Sequence, residues 1–224
     1  MFPSKKRRNE RTQRPFTTLR LYKKTKPRKA NIFEFPFLYL CRTKKTTTMA
    51  VTRPLNLKQW IDDHKDLLKP PVCNETIYKQ AGDFIVMIVG GPNSRKDFHY
   101  NESEELFYQL QGDVVVRIQE DGKIVDIPIK EGEMFLLPPN TPHSPQRGAN
   151  TMGLVIEKVR ADKDTDGFMW FCEQCHSKLY EEYFHLEDIV TQLPPVMNRY
   201  YSDENKRTCK SCGHVMIPPA AVKA

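Results

Sequence analysis

Between residues 83 and 160 the chain alternates short apolar runs with turn signals, and that rhythm limits the fold more than any other feature. The runs are Asp83–Val89, Glu105–Leu110, Val114–Gln119, Lys123–Ile129, Met134–Leu137 and Gly153–Val159, all rich in Val, Ile, Phe and Leu. Gly90-Gly91, Gly112-Asp113, Asp121-Gly122, Gly132 and Pro138-Pro139-Asn140 separate them. None is long enough for an ordinary helix, and Gly or Pro at each break suits a turn, so the runs read as strands. Strands this short are stable only when paired into a closed or double-layered sheet. That predicts a mainly β chain folded as an antiparallel barrel or jelly roll.

The flanks differ. Leu57, Trp60, Ile61, His64 and Leu68 share one face of a helical wheel, which predicts a short amphipathic helix ended by Pro70 and Pro71. His64 sits on that apolar face, so a packed, hydrogen-bonded role is expected of it before a ligand role. Past residue 160 the strand rhythm is lost, and the last segment is too small to build a core without a staple.

The cysteines supply one. Cys172-Glu-Gln-Cys175 and Cys209-Lys-Ser-Cys212 lie 33 residues apart. Each C-x2-C turn aims two sulfurs at one point, and two such turns complete a tetrahedral thiolate shell for Zn or Fe. Four protein ligands leave no open position, so a structural or at most electron-transferring role follows. Gly213 allows the left-handed backbone that brings amides toward the sulfurs. His176 and His214 are expected behind the sulfurs or facing solvent, Cys73 as a small buried residue, and Cys41 in the tail.

The net charge of +7 invites a nucleic-acid reading that its distribution removes. Residues 1–48 hold 15 Lys and Arg against Glu10 and Glu34, leaving 20 basic and 26 acidic residues from 49 onward. The body is therefore acidic, and no nucleic-acid partner is expected. No apolar run reaches the roughly 20 residues of a membrane span, so no membrane partner is expected either. The basic segment reads as a disordered tail: a targeting segment, a binding arm, or sequence upstream of a start at Met49. A cytoplasmic location is expected, with mitochondrial targeting the lesser reading.

Chemistry enters with His99-x5-Glu105 and, beyond the Pro138–Pro142 turn, His143. Two imidazoles and a carboxylate from separate β elements cap one face of an octahedral ion and leave the opposite face open, as in non-haem Fe(II) oxygenases. His99-x5-Glu105-x6-Gly112 followed by Gly132-x5-Pro138-x-Asn140-x2-His143 resembles the two motifs of the cupin superfamily, with Asn101 and Asn140 in place of a usual His and Gly. The flanks Asp97-Phe98-His99, Glu105-Leu106-Phe107-Tyr108-Gln109, Pro138 to Arg147 and Gly153-Leu154-Val155-Ile156-Glu157 resemble the 3-hydroxyanthranilate 3,4-dioxygenases. The paired C-x2-C motifs are similar to those of the short, single-cupin form of that family.

The resemblance implies a cupin catalytic domain over 49–165 and, over 166–224, a rubredoxin-like or zinc-ribbon-like segment with Fe or Zn on its four cysteines. It implies Fe(II) held by His99, Glu105 and His143, with Glu105 also at the substrate. Arg147 and Glu157 would contact the substrate, and Arg95 would lie near O2. The implied reaction inserts both atoms of O2 into 3-hydroxyanthranilate. The product, 2-amino-3-carboxymuconate semialdehyde, closes to quinolinate on the kynurenine route to NAD, and the family resemblance suggests a homodimer. The residue types fit these roles: a planar guanidinium matches a substrate carboxylate, and a buried carboxylate accepts a proton as the ring chelates. Two readings compete, a cupin dioxygenase for another catechol or aminophenol and a non-catalytic metal-binding cupin.

Overall fold

The computed structural model describes residues 53–69, 74–79 and 82–219. The tail, Cys41, Cys73 and the Pro70-Pro71 stop lie outside these residues. Helix α1 (Leu57–His64) opens the described chain, with Asn56 capping it by accepting from the Gln59 amide. His64 stacks on Trp60 at 4.2 Å and its Nδ1 lies 2.7 Å from the Trp60 carbonyl, so it is packed and hydrogen-bonded.

Eleven strands follow in order: β1 (Asn74–Thr76), β2 (Phe84–Gly90), β3 (Asp97–Tyr100), β4 (Glu105–Gln111), β5 (Val114–Glu120), β6 (Lys123–Ile129), β7 (Met134–Leu137), β8 (His143–Arg147), β9 (Met152–Lys158), β10 (Asp166–Phe171) and β11 (Lys178–Phe184). Helices α2 (Ile189–Tyr201) and α3 (Glu204–Arg207) complete them. The strands form two antiparallel sheets, ordered β1-β2-β9-β4-β7 and β11-β10-β3-β8-β5-β6. The six expected strands are β2, β4, β5, β6, β7 and β9, each within a residue of its predicted ends.

Alternation makes the sandwich. Along β4, Glu105, Phe107 and Gln109 are buried while Leu106, Tyr108 and Leu110 are less so, and β5 and β9 repeat the pattern. Phe107, Leu137 and Val155 from one sheet meet Val114, Val116, Ile118 and Ile129 from the other in a shared core. β10 breaks the pattern, for all six of its residues are buried. Phe168 and Trp170 pack with Leu193, Val196 and Tyr200 of α2, while Met169 and Phe171 pack with Phe98. Because β10 pairs with β3, the segment after residue 165 continues the same sheet.

Candidate active site

The two sheets bring their polar inward residues together at one end of the core. His99 on β3 and His143 on β8 are directly paired across the antiparallel ladder, and Glu105 opens β4 in the facing sheet. Their exposures are 7%, 2% and 7%, and one ligand atom from each lies within 4.8 Å of the others. Asn140, which stands where the motif usually has Gly, takes the left-handed conformation at φ 61°, so its turn delivers His143 as the motif requires.

Hydrogen bonds set the imidazoles. His143 Nδ1 donates to the Thr141 carbonyl at 3.0 Å, which leaves Nε2 as the lone-pair nitrogen. His99 Nε2 donates to Asp166 Oδ2 at 2.6 Å, which leaves Nδ1. His143 Nε2 lies 3.0 Å from Glu105 Oε2, yet that buried oxygen makes no hydrogen bond. Converging lone pairs and an orphaned carboxylate oxygen fit a cation. Burial pushes the Glu105 carboxyl up, but positive charge on the His143 and His99 side, carried by the protonated rings, outweighs it and holds the group below its usual range.

A cavity of about 990 Å³ opens from these residues and is also lined by Arg95, Arg147 and Glu157. Arg147 ends β8, is 4% exposed, and donates from Nη1 to Gln109 Oε1 at 3.1 Å. No carboxylate pairs with it among the described residues, and its Nε is buried without a hydrogen bond. Burial pulls its pKa down to about 10, since nothing nearby compensates the charge fully. Glu157 faces Glu105 across the β4–β9 ladder, and burial together with the Glu105 charge pushes it up to about 7. Arg95 is ion-paired with the buried Asp97.

Three residues to which the sequence reading assigned no role complete the site. Asp166 is 1% exposed and accepts from His99. Arg160 forks onto Asp166, with Nε to Oδ1 at 3.0 Å and Nη2 to Oδ2 at 2.7 Å, while its Nη1 lies 2.6 Å from Glu157 Oε2. Gln109 holds Arg147. Only a pattern of buried partners could have found them, and partners 67 residues apart, as in His99 and Asp166, leave no spacing to read.

The four cysteines also converge, with sulfur atoms within 4.8 Å of one another. Cys172 Sγ lies 3.6 Å from Cys212 Sγ, and Cys175 Sγ 3.4 Å from Cys209 Sγ. These separations are near the roughly 3.8 Å edge of a tetrahedron with 2.3 Å metal–sulfur bonds, so the group fits a tetrahedral ion. Each turn closes the same way, His176 N donating to Cys172 O at 2.9 Å and Gly213 N to Cys209 O at 2.8 Å, both with left-handed backbone at φ 62° and 78°.

The family model of 3-hydroxyanthranilic acid dioxygenase matches residues 49–201. The chain belongs to that family. A 3-hydroxyanthranilate 3,4-dioxygenase of Xanthomonas campestris pv. campestris (strain 8004) is 53% identical over 174 residues, 76% of this chain and 98% of its own length. Proteins of the same name from Ruegeria pomeroyi (48% over 168 residues, 75% and 93%) and Paraburkholderia phytofirmans (48% over 164 residues, 73% and 94%) are similar. A solved cupin superfamily protein of Desulfitobacterium hafniense aligns with 50% of this chain and 95% of its own, at 17% identity and a TM-score of 0.37. The fold of this chain is mainly β, two antiparallel sheets packed face to face over one core. The match to the dioxygenase family takes in both sheets, the His–Glu–His cluster and the first cysteine pair.

Proposed function

We propose that this chain is an Fe(II)-dependent ring-cleaving dioxygenase that converts 3-hydroxyanthranilate and O2 to 2-amino-3-carboxymuconate semialdehyde, which cyclises to quinolinate. Arg147 carries the substrate assignment. A buried guanidinium without a carboxylate partner, beside a three-donor metal cluster, is costly unless an anion completes it. A ring carrying a carboxylate next to its metal-chelating amine and hydroxyl supplies that anion.

His99 Nδ1, Glu105 and His143 Nε2 would hold the iron. Bound Fe(II) would supply adjacent open positions for the ring and for O2, and a path for electron density between them. The remaining work falls to the chain. Arg147 offers its fork to the substrate carboxylate and fixes the ring in its plane. Glu157 accepts a proton as the hydroxyl or amine binds, and Arg160 keeps that carboxylate in place. Arg95 adds positive potential on the side of the cavity where charge develops on oxygen. Met87, Phe107 and Val155 give the cavity apolar walls that exclude water.

The ion at the four cysteines, Zn or Fe, has a structural role in this reading. A homodimer belongs to the same reading and is supported by Phe84, Met134 and Leu136, apolar side chains 58%, 62% and 53% exposed on the five-stranded sheet. Sedimentation of a monomer at micromolar concentration would remove it. A cytoplasmic location is supported by the cysteine pairs, which suit a reducing compartment. No helix among the described residues is long and apolar enough to cross a membrane.

The test is O2 uptake by the Fe(II)-loaded protein with 3-hydroxyanthranilate, catechol and 3-hydroxybenzoate. Iron-dependent uptake with 3-hydroxyanthranilate and the near-ultraviolet absorbance of its ring-opened product are expected. Turnover of catechol in its place would make this a dioxygenase for another substrate. Arg147→Ala should weaken use of 3-hydroxyanthranilate by roughly two orders of magnitude while iron stays bound.

A further inference from the structure

Arg147 can read a carboxylate only if its own fork is held still and left uncompensated, and two residues outside the assigned set do this. Gln109 on β4 and Gly153 on β9 face each other in register. Gln109 is 2% exposed; its Oε1 accepts from Arg147 Nη1 at 3.1 Å and its Nε2 donates to the Gln111 carbonyl at 3.0 Å. The second bond fixes which way round the amide sits, so the oxygen faces the guanidinium. On the other side, a Cβ added at Gly153 would lie 2.8 Å from Arg147 Nη1, 2.8 Å from Gln109 Oε1 and 3.0 Å from Arg147 Nη2. The absent side chain at 153 is thus the space the fork occupies.

The amide at 109 matters for its charge as well as its shape. Glutamate would accept the same hydrogen bond from Arg147 but lose the one donated to the Gln111 carbonyl, and it would neutralise Arg147 within the cavity wall and repel an incoming carboxylate. Glutamine holds the fork and leaves its charge unspent. We propose that Gln109 and Gly153 are positioning residues that seat Arg147 and thereby set the preference for a carboxylated aminophenol over the same ring without the carboxylate. The proposal rests on Arg147 being the carboxylate partner.

The experiment compares kcat/KM for 3-hydroxyanthranilate with that for 2-aminophenol, and adds the calorimetric Kd of anthranilate, which has the carboxylate but not the reacting hydroxyl. Wild type should prefer the carboxylated ring, and Arg147→Ala should erase the preference; failure of either overturns the assignment of Arg147 itself. Given both, Gln109→Glu and Gly153→Ala should each lower the ratio roughly tenfold or more and weaken anthranilate by a similar factor, with iron content as in wild type. Gln109→Glu keeps the side chain's size and its bond to Arg147 but loses the donor to the Gln111 carbonyl, so, with iron content and Tm as in wild type, it decides the matter if Gly153→Ala fails to fold. An unchanged ratio and Kd would overturn the proposal, as would an equal loss toward both substrates.

Discussion

Asp166 stands directly behind His99 and fixes the nitrogen that imidazole offers to an ion. Carboxylate–histidine–metal arrangements of this kind typically contribute 10- to 100-fold in metal affinity. Asp166→Ala should therefore weaken Fe(II) binding by roughly that factor, read by anaerobic titration against a chelator, with Asp166→Asn recovering part of it. Equal affinity in the alanine variant would show that His99 is held by its stacking on Phe168 instead. His99, Glu105, His143 and Arg147 were legible in the sequence because short fixed intervals place them: six residues along one β turn-and-strand, or four along a single strand. Asp166 and Arg160 were not. Their positions are meaningful only once β10 lies beside β3, a pairing set by burial of Phe168 and Trp170, not by any local interval.

The same distinction holds for the elements. Strands with one wet face show period-two alternation, so β4, β5 and β9 could be read from the chain. β3 and β8 turn Asp97, His99, His143 and Arg147 inward, which hides the alternation behind the chemistry they serve. α2 was missed because Pro194-Pro195 lies inside it and removes two helical donors. It forms because Leu193, Val196 and Tyr200 close over β10, and that packing outweighs the lost bonds. Trp170 is central to this contact: fully buried, stacked on Tyr200 at 4.4 Å and donating to the Tyr201 hydroxyl at 3.2 Å. Trp170→Ala should cost about 3–5 kcal/mol in denaturant unfolding, and Trp170→Phe clearly less. A loss under about 1 kcal/mol would mean that α2 docks through other contacts.

Across the whole molecule, β10 joins two places that look separate in the sequence. Its first residue, Asp166, supports the His–Glu–His cluster, and the residue after its last is Cys172. Lys96, one residue before β3, also pairs with Glu173 inside the first C-x2-C turn at 2.8 Å. Cys172→Ala should thus lower Fe(II) affinity at the distant cluster together with thermal stability, because binding at the thiolates is coupled to folding of this segment. Retention of full iron affinity after loss of the cysteine-bound ion would break that link. The link is one of rigidity: an ion that closes the four thiolates would hold β10, and with it the carboxylate behind His99. Damage at the cysteines would then be felt as a loss of ring cleavage, at side chains that the damage never touches.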